Sequence, residues 1–224
     1  MEDNGNASAP SAVVIFVDPC CPFAWITSRW LEEVERQRPI VLDVRLVSLS
    51  VINEHRELDD WYRTFNDLAW GPARVFAAVE AAHGSVGARA FYDAFGRRYH
   101  VERDEDLTTV VPAALADANL PPALAGAMSD VRWDGVLRAS TSEALDPVGV
   151  DAGTPVVHLD GTAVFGPVLS SCPRGEEAVE LFDALRVMLA QRAFSDVRRG
   201  RNTELDRSDP ALDHPISLLR SDHV

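Results

Sequence analysis

The run Ala12-Val13-Val14-Ile15-Phe16-Val17 constrains this chain more than any other stretch. It is apolar throughout, rich in β-branched residues, and stops at the turn formers Asp18-Pro19. A run that short and that apolar reads as a strand buried on both faces, so its sheet needs helices on two sides. After the turn, Phe23, Ile26, Trp30, Leu31 and Val34 recur at three- and four-residue spacing, the pattern of an amphipathic helix. A second strand is expected over Val41–Leu49, closed by Asn53-Glu54-His55. Strand, helix and strand in that order predict a parallel pair joined by a helical crossover.

From Asp59 to about Leu145 the strand-like runs disappear, and Ala, Leu, Arg and Glu take over at helical spacing. Gly71-Pro72, His83-Gly84, His100 to Asp106, Asn119 to Pro122 and Ser129 are expected to divide this block into roughly four to six helices. Sheet character then returns at Pro155-Val156-Val157-His158-Leu159 and Thr162-Ala163-Val164-Phe165, with Asp160-Gly161 between them as a hairpin turn. A last helix is expected from Arg174 to about Arg192. The layout predicts residues 11–58 and 146–194 as two halves of one α/β core, 59–145 as a helical insertion, and 195–224 as a polar tail. Without the insertion, the order of elements is that of the thioredoxin topology.

Charge and composition remove several function classes. The 224 residues carry 35 acidic and 21 basic side chains, a net charge of −14, and every basic residue is Arg. With no Lys there is no Schiff base and no phosphate-loop lysine. The acidic balance opposes phosphate-neutralising contacts, so nucleic acid is not an expected partner. Met1–Ser11 is polar and lacks the basic start and apolar run of a signal peptide, and no apolar stretch is long enough to span a membrane. A cytoplasmic chain with reduced thiols is therefore expected. The six His show no ligand spacing with Cys or carboxylates, no Gly-rich dinucleotide fingerprint occurs, and His83-Gly84-Ser85-Val86-Gly87 lacks the first glycine of a nucleophile elbow. Glu32-Glu33, Asp59-Asp60 and Asp104-Glu105-Asp106 read as solvated helix faces or caps, and Arg29 as a solvated or ion-paired side chain.

There are three cysteines, Cys20, Cys21 and Cys172, an odd count that leaves at least one thiol unpaired. Cys21-Pro22 falls where the first strand hands over to the first helix. Pro22 suits the first helical position, which puts Cys21 at the N-cap among unpaired backbone donors and at the positive end of the helix dipole. Such settings lower a cysteine pKa from about 8.5 towards roughly 3.5–7.5, and the thiolate is the nucleophile. Gly153-Thr154-Pro155 opens the third strand, where a proline is tolerated as the first residue, in either a cis or a plain trans bond.

These residues resemble a known family. Asp18-Pro19-Cys20-Cys21-Pro22-Phe23-Ala24-Trp25-Ile26-Thr27-Ser28-Arg29-Trp30 is similar to the active-site segment of the DsbA-like, mycothiol-dependent nitroreductase/reductase family. Asn53-Glu54, Ala69-Trp70-Gly71-Pro72, Gly153-Thr154-Pro155, Phe165 to Ser170 and Pro173 to Glu177 extend the resemblance over most of the chain. It implies a thioredoxin-like α/β fold of the DsbA type with an α-helical insertion, a cytoplasmic location, and mycothiol or a similar small thiol as co-substrate, with no metal. It also implies that the Thr154-Pro155 bond is cis and packs against the thiol. His100 resembles a family histidine facing the active site, where it would donate to a substrate or stabilise the thiolate, with the solvent-exposed end of a helix as the alternative. Trp25, Asn53 and Trp70 join Pro22, Phe23, Thr154 and Pro155 as expected cleft-lining groups, although aromatics at this spacing also suit a core. A homodimer is left open.

One departure decides the chemistry. The better-known members of the family it resembles carry Cys-Pro-Trp-Cys, whereas here Phe23 and Ala24 stand in the last two positions. Without a thiol at position 24, Cys21 cannot close the intrahelical disulfide, and an external thiol must release any mixed disulfide. A Cys20–Cys21 bridge would need a strained eight-membered ring. Cys172 lies at an unread distance, so Cys20 and Cys172 are expected not to be catalytic. The leading expectation is a monothiol, small-thiol-dependent oxidoreductase acting on a small electrophilic or disulfide substrate. The alternatives are a thiol-dependent transferase or isomerase similar to kappa-class glutathione transferases and chromene-carboxylate isomerases, or a non-catalytic homologue that binds in the cleft.

Overall fold

The computed structural model describes residues 10–149, 151–200 and 204–209. Most of the expected N-terminal segment and residues 201–203 and 210–224 of the expected tail lie outside them. The first strand, β1 (Ser11–Val17), forms as its apolar run requires, and α1 (Pro22–Glu35) follows four residues later. β2 is Ile40–Leu46, shorter than expected. Leu49–Asn53 forms a short helix, α2, capped by the Ser48 side chain accepting the Val51 N–H. Asn53 therefore ends a helix, where a turn closing the strand was expected. The Ser48 cap satisfies a backbone donor and makes that early turn to helix favourable.

The sheet has the order β2-β1-β3-β4, with β3 at Val156–Leu159 and β4 at Thr162–Phe165. β1 runs parallel to β2 and antiparallel to β3, with Ile15 opposite both Val44 and Val157. At the β3–β4 turn, Asp160 and Gly161 both adopt positive φ, 49° and 84°, the pair that a tight two-residue hairpin demands. Side chains of β1 alternate between two cores. Val13, Ile15 and Val17 join α1 in the main core, while Phe16 packs with Val47, Ala144 and Val156 on the opposite face. α6 (Gly175–Leu189) lies against α1, where the Trp30 indole N–H donates to the Ala178 carbonyl at 2.9 Å. The chain has the thioredoxin-like architecture, with helices inserted between β2 and β3.

That insertion holds α3 (Asp60–Gly96), a π-helical turn at Arg97–Val101, α4 (Leu107–Asp117), two 3₁₀ segments (Pro122–Ser129 and Val131–Trp133) and α5 (Asp134–Leu145). Gly71-Pro72 does not end a helix, contrary to the expectation. A proline costs about 3 kcal/mol inside a helix. Burying side chains such as Val75, Phe76 and Val79 on the following turns, at about 1.5–3 kcal/mol each, outweighs that cost. The real break in α3 comes at Gly84, whose φ of 69° and ψ of −174° are not helical. Asp59 and Asp106 cap α3 and α4, as expected of those acidic runs. Glu32 and Glu33 are buried instead, because α1 is covered on this side by α6 and the insertion. No helix of the described residues is long and apolar enough to cross a membrane.

Candidate active site at the head of the first helix

Cys21 occupies the N-cap of α1 with φ −81° and ψ 115°, and Pro22 stands at the first helical position. The Ala24 N–H points at Cys21 Sγ from 3.5 Å, satisfying one of the helix's free donors. Across the gap, Sγ faces the Thr154 carbonyl oxygen at 3.7 Å, and the Thr154–Pro155 peptide is cis. The Thr154 hydroxyl donates to the Phe16 carbonyl and ties this loop to β1. Cys21 is only 4 % exposed. Pro22 and Phe23 beside it are half-buried, and Pro155 is buried. Cys21 and Thr154 thus meet at one point, with Pro22, Phe23 and Pro155 as their chain neighbours.

The other two thiols differ in kind. Cys20 is buried, and its pKa is driven well up by desolvation and by the neighbouring Asp18 and Cys21 charges. Burial and Glu33 push Cys172 up to about 12. Among the described residues no disulfide joins Cys20, Cys21 and Cys172. Neither Cys20 nor Cys172 sits where a thiolate is favoured.

Asp18 was read from the sequence only as a turn former, yet it is a fully buried carboxyl in the cysteine loop. Its Oδ1 accepts the Cys20 N–H at 2.8 Å, its Oδ2 accepts the Leu49 N–H of α2 at 2.7 Å, and its carbonyl accepts the Cys21 N–H at 3.0 Å. Desolvation raises its pKa to about 7 against the lowering effect of those two N–H groups. An Asp placed between a fully apolar strand and a helix start was the available signal. Buried there, its carboxyl needs internal donors.

His100 is fully buried, which removes the solvent-exposed alternative. Its Nε2 lies 2.9 Å from the Pro19 carbonyl and must carry the proton there. Its Nδ1 is buried without a hydrogen-bond partner. Burial lowers its pKa to about 3, so the ring is neutral and cannot stabilise a thiolate as a cation. The imidazole instead stacks on Trp25, with centroids 5.6 Å apart, and holds the loop through Pro19.

Trp25 is fully buried and does not line a cleft, because its face on α1 turns into the insertion. It packs on Tyr92 and His100 and lies directly against Gly96, where any Cβ would overlap its six-membered ring. Its indole N–H donates to the Arg207 carbonyl at 3.1 Å. The described end of the tail is thus packed on α1, with Asp209 buried and the Asp206 N–H donating to the Ser170 carbonyl. Arg29 is buried as well, stacked 4.1 Å from the Trp25 ring and ion-paired with Glu32 and Asp93.

Asn53 and Trp70 hold other parts of the frame. The Asn53 amide donates to the Leu49 carbonyl, the Tyr62 hydroxyl and Asn66 Oδ1, joining α2 to α3. Trp70 lies under the guanidinium groups of Arg74 and Arg138, at the contact between α3 and α5. Among the described residues, no group of three or more His, Cys, Asp or Glu could hold a metal ion.

Comparison with known proteins places this geometry in context. The family model described as Rv2466c-like, mycothiol-dependent nitroreductase Rv2466c, matches residues 20–199. The Mycobacterium tuberculosis protein Rv2286c, described as uncharacterized, is 31 % identical over 179 residues, covering 76 % of this chain and 74 % of the relative. Among solved structures, a 2-hydroxychromene-2-carboxylate isomerase aligns with a TM-score of 0.53 at 12 % identity, covering 79 % of this chain and 94 % of the other. A candidate protein disulfide isomerase from Nitrosomonas europaea aligns with a TM-score of 0.51 at 12 % identity, covering 80 % and 98 %. At such identities the two structures share the fold with this chain.

Proposed function

The chain belongs to the Rv2466c-like family of mycothiol-dependent nitroreductases, and on that premise we propose that it is a monothiol oxidoreductase with Cys21 as its single nucleophile. The observation that carries the reading is the one at position 24. There the backbone N–H of a fully buried Ala24 meets Cys21 Sγ, where a Cys-Xaa-Xaa-Cys motif would supply its second thiol. Cys20 and Cys172 are poor replacements, since burial raises both.

The chemistry balances with a small thiol as co-substrate, and mycothiol is the one the family name specifies. The Cys21 thiolate attacks one sulfur of a disulfide substrate; a Cys21–substrate S–S bond forms as the substrate's own S–S bond breaks and its other half leaves as a thiolate. A small thiolate then attacks the substrate sulfur of that mixed disulfide and returns Cys21. With a nitro group as the electrophile, Cys21 and one small thiol join in a disulfide and pass two electrons and two protons to it, leaving a nitroso group and water. A second small thiol then frees Cys21. The helix N-terminus and the Ala24 N–H favour negative charge on Sγ both when it attacks and when it leaves.

Access sets the partner class. With 4 % of Cys21 exposed, only a slim reacting group can reach Sγ, which suits a CH₂–SH arm better than a folded protein. We assign Pro22, Phe23, Thr154 and Pro155 to the thiol subsite. Trp25, Asn53, Trp70 and His100 we assign to its frame, His100 as a positioning residue acting through Pro19. A cytoplasmic setting, with thiols kept reduced, suits this chemistry.

The test is to treat the reduced protein with mycothiol disulfide and locate the adduct by fragment mass spectrometry. One mycothiol on Cys21, absent in Cys21→Ser and released by excess thiol, is the expected outcome. An internal disulfide to Cys172, or an adduct that survives Cys21→Ser, would sink the reading. Turnover that persists in Cys21→Ala but still needs the small thiol would point to a transferase or isomerase.

A further inference from the structure

The cysteine loop is held from three directions. His100 grips the Pro19 carbonyl, the Thr154 carbonyl faces Sγ, and the carboxyl of Asp18 binds the loop to a separate element. The last of these has no obvious structural need. Burying a carboxylate is costly, and turns of this kind are closed elsewhere by Asn, Ser or a backbone group. Among the described residues Asp18 has no ion-pair partner, and its carboxyl is fully buried.

We propose that Asp18 is a positioning residue for Cys21, clamping the cysteine loop to the first turn of α2 through one carboxylate. The proposal rests on the reading of Cys21 as nucleophile and adds what holds it in reacting geometry. Oδ1 takes the Cys20 N–H, one residue before the nucleophile, and Oδ2 takes the N–H of Leu49, the first residue of α2. α2 is itself fixed to α5, because the Ser48 N–H donates to the Thr141 hydroxyl, and to α3 through Asn53. The carboxylate thus fastens the loop to the insertion that overhangs it.

Only the ionised carboxyl offers two full acceptors to two N–H groups. Protonated, one oxygen becomes a donor facing an N–H, and one half of the clamp opens. Burial raises the group to about 7, so the clamp switches within the working range. The titratable groups facing it are Cys20 and Cys21 on its own loop and Tyr99 on the π-helical turn, while α2 presents only its backbone N–H. His100 on the same turn is neutral, with a pKa lowered to about 3. Clamp opening should therefore appear as an acid limb in Cys21 reactivity, beyond the loss of thiolate itself.

The experiment measures adduct formation at Cys21 with bis(2-hydroxyethyl) disulfide from about pH 5.5 to 9, divided by the thiolate fraction read from ultraviolet absorbance. In the parent protein the corrected rate should rise about tenfold through an inflection near 7. In Asp18→Asn the inflection should vanish and the rate stay near the acid plateau. A second pair of variants covers the case that Asp18→Asn does not fold. Leu49→Pro deletes the N–H at a position where proline suits a helix and the extended Ser48, at φ −105° and ψ 119°, suits a following proline. Leu49→Ala deletes the same packing and keeps the N–H. The inflection should move upward in Leu49→Pro, because the carboxylate has lost a donor, and stay in place in Leu49→Ala. An inflection near 7 that survives Asp18→Asn, or Leu49→Pro and Leu49→Ala curves that coincide, would overturn the proposal. No Cys21 adduct in the parent at any pH would instead refute the nucleophile assignment.

Discussion

Replacing Asp18 by Asn should change how stability depends on pH, and its size follows from burial. The carboxyl is raised from 3.8 to about 7 in the folded chain because it is wholly desolvated. At about 1.36 kcal/mol for each tenfold change in proton affinity, the rise corresponds to about 4 kcal/mol. The folded state holds this proton more tightly than the unfolded state does. Its contribution is therefore fully present below about pH 4 and is lost as pH climbs through about 7. His100 acts with the opposite sign over part of the same range, since its folded pKa is lowered to about 3. The readout is accordingly the difference between parent and Asp18→Asn, in which the His100 contribution cancels. Urea unfolding of both proteins between about pH 4.5 and 8 supplies it. The parent should lose ground to the variant by several kcal/mol as pH rises across that interval. A difference that stays constant to within about 1 kcal/mol would show that Asp18 does not titrate as a buried group, and would refute the reasoning.

Three further outcomes test other parts of the site. Gly96→Ala drives a methyl into the Trp25 ring; overpacking of this kind costs about 1–3 kcal/mol, or roughly 2–12 °C in Tm, and an unchanged Tm would contradict the packing. His100→Gln should lose stability less steeply than the parent on acidification below about pH 6.5, because the parent must protonate an imidazole that burial holds near 3; parallel urea midpoints in both proteins would argue against it. Ala24→Cys restores a second thiol beside Cys21, so a small disulfide should leave it two hydrogen atoms lighter with no retained adduct, and a persisting adduct would show that the two positions cannot pair.

Most of the frame was legible in the sequence, and the failures share a cause. The apolar run of β1, Pro22 at the start of α1 and Asp160-Gly161 in the hairpin are local signals, and each produced the element expected. Where a residue's role depends on what covers it, local reading fell short. Gly71-Pro72 reads as a stop, but the following turns are buried and α3 continues. Glu32 and Glu33 read as a solvated face or cap, Arg29 as solvated or ion-paired, and Trp25 as cleft-lining or core. α6, the insertion and residues 205–209, remote in sequence, close over that side; they bury the two carboxylates and select the ion-paired and core alternatives for Arg29 and Trp25. The cluster at Cys21, Pro22, Phe23, Thr154 and Pro155 was legible because its two halves carry their own marks, a thiol at a helix start and a proline at a strand start. Asp18 was not, because burial turns a common turn residue into an unusual acid, and burial is not written in a tripeptide.

The lone thiol and the buried polar groups around it follow from one constraint. In a dithiol site the second sulfur is tethered at high effective concentration, so release of a mixed disulfide is fast even when the geometry is loose. Ala24 removes that tether. In the monothiol mechanism proposed above, the second thiol arrives from solution, and the protein can assist it in two ways. It can make Cys21 a good leaving group, since a sulfur whose thiolate is stabilised departs faster, and the α1 N-terminus with the Ala24 N–H does this. It can also keep the S–S axis aligned with the narrow approach to Sγ, because attack on a disulfide runs along that bond. A loop held at Pro19 by His100, at Cys20 and α2 by Asp18, and opposite Thr154 is restrained in the directions that would misalign it. On that proposal, the stability given up by burying the Asp18 carboxyl and the His100 imidazole, neither with an ion partner among the described residues, is directed at the step that the missing thiol leaves slow.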